Sequence, residues 1–451
     1  MRFEPAKIVM PDSYLYSNAV PNSQRQAIWD YIFYLLSLLI TISTLWFFVA
    51  VPPSKLGLLS GDEQYWLNDF AANGFLSYIF NIDAQNPYLS LLSRSVTSVG
   101  FNLGLPDFLG SPGMLLVRFV TFSLLALCIT LPLFPPARKM LKIQLFQAHL
   151  IWFIMLSITN SENIYVFNFS YYLIVPILLL MSAINRNNTN LNLVCNYYSV
   201  GIGVCYFVAT LFLVNKALIA ATLFIGALSL LCINLKSSRK IKNLTNLKLV
   251  CILLASLILI LISKSEDASL GYSILTFLWA ASGIFYAIGS FFLPLIAVSV
   301  DDLARQLDLD YLIGAAKLSV FLFGVLSFFA VVKFLKNHAH ELSEFKNEKI
   351  ELLVVAVMLS ASIFGLGYSQ YSAWYLTNWF ISPASVLFIR HFIVPQACLL
   401  YLLILLLGML NSVQQSSENP GSKLTKVTLK ITKQIPLVVL LQSFLVFLLR
   451  S

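Results

Sequence analysis

The sequence predicts an all-α protein: a polytopic transmembrane helix bundle of about 11 to 13 spans, with amphipathic helices on the exterior side after the first span. Two observations predict it. Of 451 residues, 59% are hydrophobic and only 11% charged, and the mean hydropathy is +0.82; a soluble domain carries roughly a quarter of its residues as charges. The apolar residues also come in long runs, and about 18 or more of them in succession suffice for a helix to cross the hydrocarbon core. In lipid every backbone N–H and C=O must find its partner within the protein, which a helix achieves inside one segment. The ten-residue alternating strands of an outer-membrane barrel are absent from the sequence.

Taken in order, spans are expected near 28–51, 112–134, 144–160, 165–184, 197–214, 217–235, 249–263, 273–298, 311–335, 350–368, 388–411 and 434–449. The 27 residues ahead of the first are polar, and the run from Ile28 to Val51 is too long for the core of a cleavable signal peptide. The chain reads as one transmembrane domain over 1–451, with an exterior loop at 52–111 and a cytoplasmic basic loop at 412–433. Lys and Arg in short loops mark the cytoplasmic side. They occur as Arg2, Lys7 and Arg25 in the N-terminal tail, as Arg138, Lys139 and Lys142, as Lys236, Arg239, Lys240, Lys242 and Lys248, and as Lys423, Lys426, Lys430 and Lys433. The N-terminus is therefore expected in the cytoplasm. The net charge of +9 is this orienting bias and points to membrane lipids, not to nucleic acid.

One segment admits two readings. Both 264–272 and the acidic stretch Asp301, Asp302, Asp308 and Asp310 belong outside, whereas the Lys-bearing 333–349 belongs inside. Segment 273–298 then either enters and leaves on one face, broken at Gly283, Gly289 and Pro294, or is a simple span flanked by weak charge bias.

The exterior loop 52–111 holds five acids, Asp62, Glu63, Asp69, Asp83 and Asp107, against Lys55 and Arg94. It is too long to be a mere connector. Tyr65, Trp66, Phe70, Phe75, Tyr78, Ile79 and Phe80 give an apolar face suited to a helix lying at headgroup depth. A second short helix is expected after Pro87, since proline suits a first helical turn. Asp62 and Glu63 are thereby held at the membrane surface. Either one serves as a general base or ligates a divalent cation, the sole cofactor the sequence points to, or the pair caps its helix, since acids favour helix N-termini.

Charges near the spans need reasons of their own, because ionisable groups at membrane depth are costly. Arg118 suits snorkelling to the interface. Lys216 sits in the exterior turn Asn215–Lys216, Lys317 inside the span after Asp310, and Arg390 and His391 open a late span from the exterior side. Exterior cations suit a phosphate whose charge grows as a sugar leaves it; equally, they pair with exterior acids as structure. His338 and His340 are two residues apart and diverge on a helix, so a solvated loop is the expected reading. The six cysteines lie in or beside apolar runs without CxxC spacing, as buried apolar residues do. No Walker A, GxGxxG, GxSxG, HExxH or EF-hand motif occurs, so ATP-driven or dinucleotide chemistry is not expected within this chain.

A first span followed by an exterior acidic pair and surface helices resembles the GT-C superfamily of membrane glycosyltransferases. The stretch PYLSLLSRSVTSV at 87–99 is similar to a P-x-L-x-x-L-x-R helix of uncharacterised bacterial GT-C-like proteins. NSENIYVFNFSYYLIVPILLL at 160–180 and RHFIVP at 390–395 resemble two further segments there, with Ser170-Tyr171-Tyr172 departing from an expected Asn and Trp. These motifs cover roughly a sixth of the chain, and their order and side agree. The resemblance implies a bacterial inner-membrane enzyme that moves a sugar from a polyprenyl-phosphate donor to a glycan or lipid acceptor outside. It implies Asp62 and Glu63 as catalytic, Arg94, Lys216, Arg390 and His391 as donor-phosphate ligands, and Asp83, Tyr88, Glu162 and Asn168 as further site residues. Two other classes fit a protein of this kind. An O-antigen-type polymerase leans on exterior arginines, and a lipid-linked saccharide transporter or flippase calls for internal repeats and mid-bilayer charges.

Overall fold

Long apolar runs become helices here because nothing else satisfies their backbone in lipid. The computed structural model describes residues 22–45, 61–80, 91–103, 112–158, 196–214, 217–236, 243–262, 310–337, 346–369 and 393–416, together with 284–285, 288–289, 292–293, 438 and 441. Among these there are helices and short connections and no strand. In chain order the helices are α1 (Asn22–Thr44), α2 (Gly61–Phe80), α3 (Leu91–Leu103), α4 (Pro112–Thr130), α5 (Pro135–Leu141) and α6 (Leu145–Ile158). They continue with α7 (Asn196–Leu213), α8 (Ala217–Lys236), α9 (Asn243–Ile262), α10 (Asp310–Asn337), α11 (Lys346–Ser369) and α12 (Ile393–Ser416). Stretches in α8, α9 and α10 are long and apolar enough to cross a membrane, and α4 with α5 makes a fourth if the bent pair is one span. The remaining apolar stretches, Ile28–Thr44, Val200–Leu213 and Ala397–Ser412, are shorter. The spans expected at 165–184 and 434–449 lie outside the described residues apart from Val438 and Leu441.

The break between α4 and α5 is written in prolines. A 3-10 turn at Leu131–Leu133 holds Pro132 and closes on Phe134 N–H, which bonds the Leu131 carbonyl. Phe134 is extended, as a residue before proline tends to be, and Pro135 and Pro136 open α5 where their missing N–H groups cost nothing. The two helices meet at 47°. α5 ends on Lys142, which adopts the left-handed conformation (φ 57°, ψ 29°) and returns its N–H to the carbonyls of Arg138 and Lys139.

This elbow ties four helices together at one face. Arg138 donates to Asp30 of α1 in an ion pair. Lys142 Nζ meets Glu348 Oε1 of α11 at 2.9 Å. Asn411 of α12 donates to the Lys142 carbonyl (3.0 Å) and to Gln147 Oε1 (2.7 Å), while Gln147 donates back to Asn411 Oδ1 at 3.2 Å. Met409 packs there on Leu352 and on Phe334 and Leu335 near the end of α10. The N-terminal half of α1, the start of α11 and the ends of α10 and α12 therefore share one side of the bundle. That side carries Arg138, Lys139, Lys142, Lys333 and Lys336.

The core follows from helices that are apolar on every face. α12 is buried almost throughout, with Val394, Cys398, Ile404 and Leu407 inaccessible, and packs against α11 and the α5 elbow. α11 also packs on α8, α8 on α9, and α9 on α7. Small residues bring these helices close: a Cβ at Gly226 of α8 would collide with Met358 of α11, and Gly203 of α7 rests against Cys251 and Leu247 of α9. Outward faces stay apolar, as on α1 (Trp29, Leu35, Leu39) and α10 (Leu322, Leu326, Phe329), which suits contact with lipid tails.

Candidate functional site

The segment after α1 that was expected outside holds two helices, α2 and α3, which pack on each other; α3 packs in turn on α4 and on α7. α2 starts at Gly61, so Asp62 and Glu63 stand in its first turn, where the helix dipole favours negative charge. The helix bends at Gly74, whose φ of 73° and ψ of −176° no L side chain adopts readily. No neighbour lies within 4 Å of where a Cβ would stand, so it is the backbone angle, not crowding, that calls for glycine here.

Beyond the bend Tyr78 and Ile79 turn inward and, with Phe101 of α3, form a small apolar centre flanked by Phe70, Leu91 and Val96. Phe70 sits 5.5 Å from the Tyr78 ring and 5.1 Å from Phe101, and Tyr78 lies 6.0 Å from Phe101. Arg94 of α3 penetrates this centre and is inaccessible to solvent. Its Nη1 donates to the Tyr78 carbonyl and lies 3.8 Å from Asp69 Oδ2, and its guanidinium rides 5.3 Å from the Tyr78 ring centre. Asn73 donates to Asp69 Oδ1 at 2.5 Å, and the Tyr78 hydroxyl shares a 2.8 Å hydrogen bond with Thr97. Burial raises the Tyr78 hydroxyl's pKa above the usual tyrosine value; the Thr97 bond and the nearby Arg94 charge oppose that rise without cancelling it. The result is a clamp that fixes α2 on α3, about two turns from Asp62 and Glu63.

The residues singled out in the sequence fare differently. Asp62 and Glu63 stand where the exterior helix was expected, at its N-terminal turn. Arg94, expected as an exterior cation for a phosphate, pairs with Asp69 and Tyr78, since a desolvated guanidinium needs a counter-ion and acceptors to offset the cost of its burial. Asp83, Tyr88, Glu162, Asn168, Lys216, Arg390 and His391 lie outside the described residues. Among the described residues no three His, Cys, Asp or Glu side chains converge as a metal cage. Asp69, Tyr78 and Thr97 were not foreseen. Their signal was there: an arginine amid Ser, Thr and apolar residues in a short amphipathic helix must find an acid, and Asp69 is at hand on the neighbouring one.

Fold and site together define a class: an all-helical membrane bundle in which the pair α2 and α3 is clamped by a buried ion pair. No protein-family model, no curated protein and no solved structure matches the chain.

Proposed function

We propose that this chain is a membrane glycosyltransferase working at the exterior face, with a polyprenyl-phosphate sugar as donor and a glycan or lipid as acceptor. One observation carries the reading: Asp62 and Glu63 occupy the first turn of a helix held rigidly on the bundle by Arg94, Asp69 and Tyr78. A rigid helix end at the membrane surface holds a carboxylate where an acceptor hydroxyl meets a lipid-borne sugar, and orientation of that kind is a large part of catalysis. In the proposed step one carboxylate takes the proton of the acceptor hydroxyl as its oxygen attacks the anomeric carbon. The bond from that carbon to the phosphate oxygen breaks, and polyprenyl phosphate leaves with the electron pair. Arg390, His391 and Lys216 are the cations proposed to meet the growing phosphate charge.

The test is direct. Purified protein in detergent is given a radiolabelled polyprenyl-phosphate sugar and a mixture of envelope lipid and glycan acceptors. Transfer of label with release of polyprenyl phosphate supports the proposal, and the absence of any donor consumption across sugars refutes it.

A further inference from the structure

We infer that the chain between Ile262 and Asp310 enters the membrane from the exterior face and returns to it, with the 284–293 stretch as its outward leg. Sidedness comes first. α10 ends at the face where the α5 elbow joins α1, α11 and α12, because its Phe334 and Leu335 pack with Met409 and Leu352. That face is cytoplasmic by its basic residues, so α10 runs inward from an exterior Asp310. α9 follows the basic connection that holds Arg239, Lys240 and Lys242, so it runs outward and Ile262 is exterior too. Two ends on one face require an even number of crossings between them.

Direction comes second. Phe285 lies edge-on to Phe321 (6.0 Å) and to Phe328 (5.5 Å) of α10, and its carbonyl fills the space a Cβ on Gly324 would need. One turn later Gly289 abuts Val320 and Gly324, and a Cβ there would overlap the Val320 carbonyl. As the chain advances from Phe285 to Gly289, its contacts on α10 retreat toward that helix's start. The two run antiparallel, so 284–293 runs outward.

Depth comes third. The apolar span of α10 starts at Leu318, and Gly324, against which the Phe285 carbonyl lies, is six residues further on. Six residues of helix cover roughly 9 Å, about a third of a hydrocarbon core of roughly 30 Å. An outward leg that is already this deep at Phe285 requires an inward leg before it. Glycine against glycine permits that return path to press its backbone on α10, a packing that small residues allow within lipid. Asp301, Asp302, Asp308 and Asp310 thereby come out on the same face as Asp62 and Glu63.

The test uses single cysteines in a variant whose six native cysteines are replaced. With Ser265→Cys or Ser299→Cys, a membrane-impermeant maleimide added to intact cells should label both before permeabilisation. Labelling of the two from opposite faces, or of both only after permeabilisation, overturns the inference. Cys128 and Cys398 are buried and their loss can spoil folding, so a second measurement keeps the native cysteines. Alkaline phosphatase inserted in the full chain after Ser265 or after Ser299 should be active at both sites, and an inactive insertion at either one overturns the inference equally.

Discussion

Arg94 and Asp69 are each buried, with side-chain exposures of 0% and 3%, so removing one takes a close opposite charge from the other in a desolvated place. Arg94→Met should therefore cost about 3–5 kcal/mol, read from the denaturation midpoint in detergent. The double variant Arg94→Met with Asp69→Leu should recover most of that loss, since a buried pair exchanged for apolar groups of similar size is often neutral. Tyr78 supplies a second expectation at this scale. Its hydroxyl ionises only above the usual tyrosine range near 10 because it is buried, so the unfolded chain loses that proton first. The Tyr78 contribution to stability is complete below about pH 10 and declines as pH rises toward the raised value. Tyr78→Phe should remove that part of the alkaline decline when stability is followed from pH 8 to 11. That Arg94 needs an acid follows from its setting in the sequence, but which acid does not. The acids of the exterior loop read alike there, and only the bend at Gly74 and the packing of α2 on α3 single out Asp69.

At the scale of elements, the α5 elbow depends on a close approach that glycine permits. A Cβ on Gly408 of α12 would overlap the Leu141 carbonyl at the end of α5. Backbone cannot yield there as a flexible side chain would, so Gly408→Val should push α12 from the elbow. The loss should reach about 1–3 kcal/mol, as overpacking typically does, and be seen as a lower unfolding midpoint. The helices themselves were legible. Runs such as 145–158 and 217–236 are apolar all round, and a membrane leaves such runs little choice but to be helical. The breaks were less so. Prolines mark the elbow at 132–136, whereas at Gly74 the local hint is only the Asn73-Gly74 pair, common in turns, set in an otherwise helix-compatible run. A long-range tie such as Gln147 to Asn411, 264 residues apart, leaves no local trace in sequence at all.

For the molecule as a whole, the basic residues and the elbow agree on sides. Asp30, Lys142, Glu348 and Asn411 meet at one face, in keeping with a cytoplasmic N-terminus and an exterior 52–111. A cysteine at Gln85 should react with an impermeant reagent from outside, and reaction only from the cytoplasmic side would reverse the assigned topology. Charge bias gives an expectation of sidedness because it sums over many residues, whereas a catalytic centre rests on a few side chains whose meeting depends on the packed bundle. The measurement that bears most directly on the proposed chemistry is sugar transfer from a polyprenyl-phosphate donor by Asp62→Asn and Glu63→Gln proteins, with unfolding followed in parallel. At least one substitution should lower turnover by roughly 10²–10⁴-fold while the unfolding midpoint moves little, as loss of an exterior carboxylate costs at most about 1 kcal/mol when it caps a helix. Full turnover in both variants, with only the midpoint shifted, would contradict the catalytic assignment and leave the two acids as helix caps.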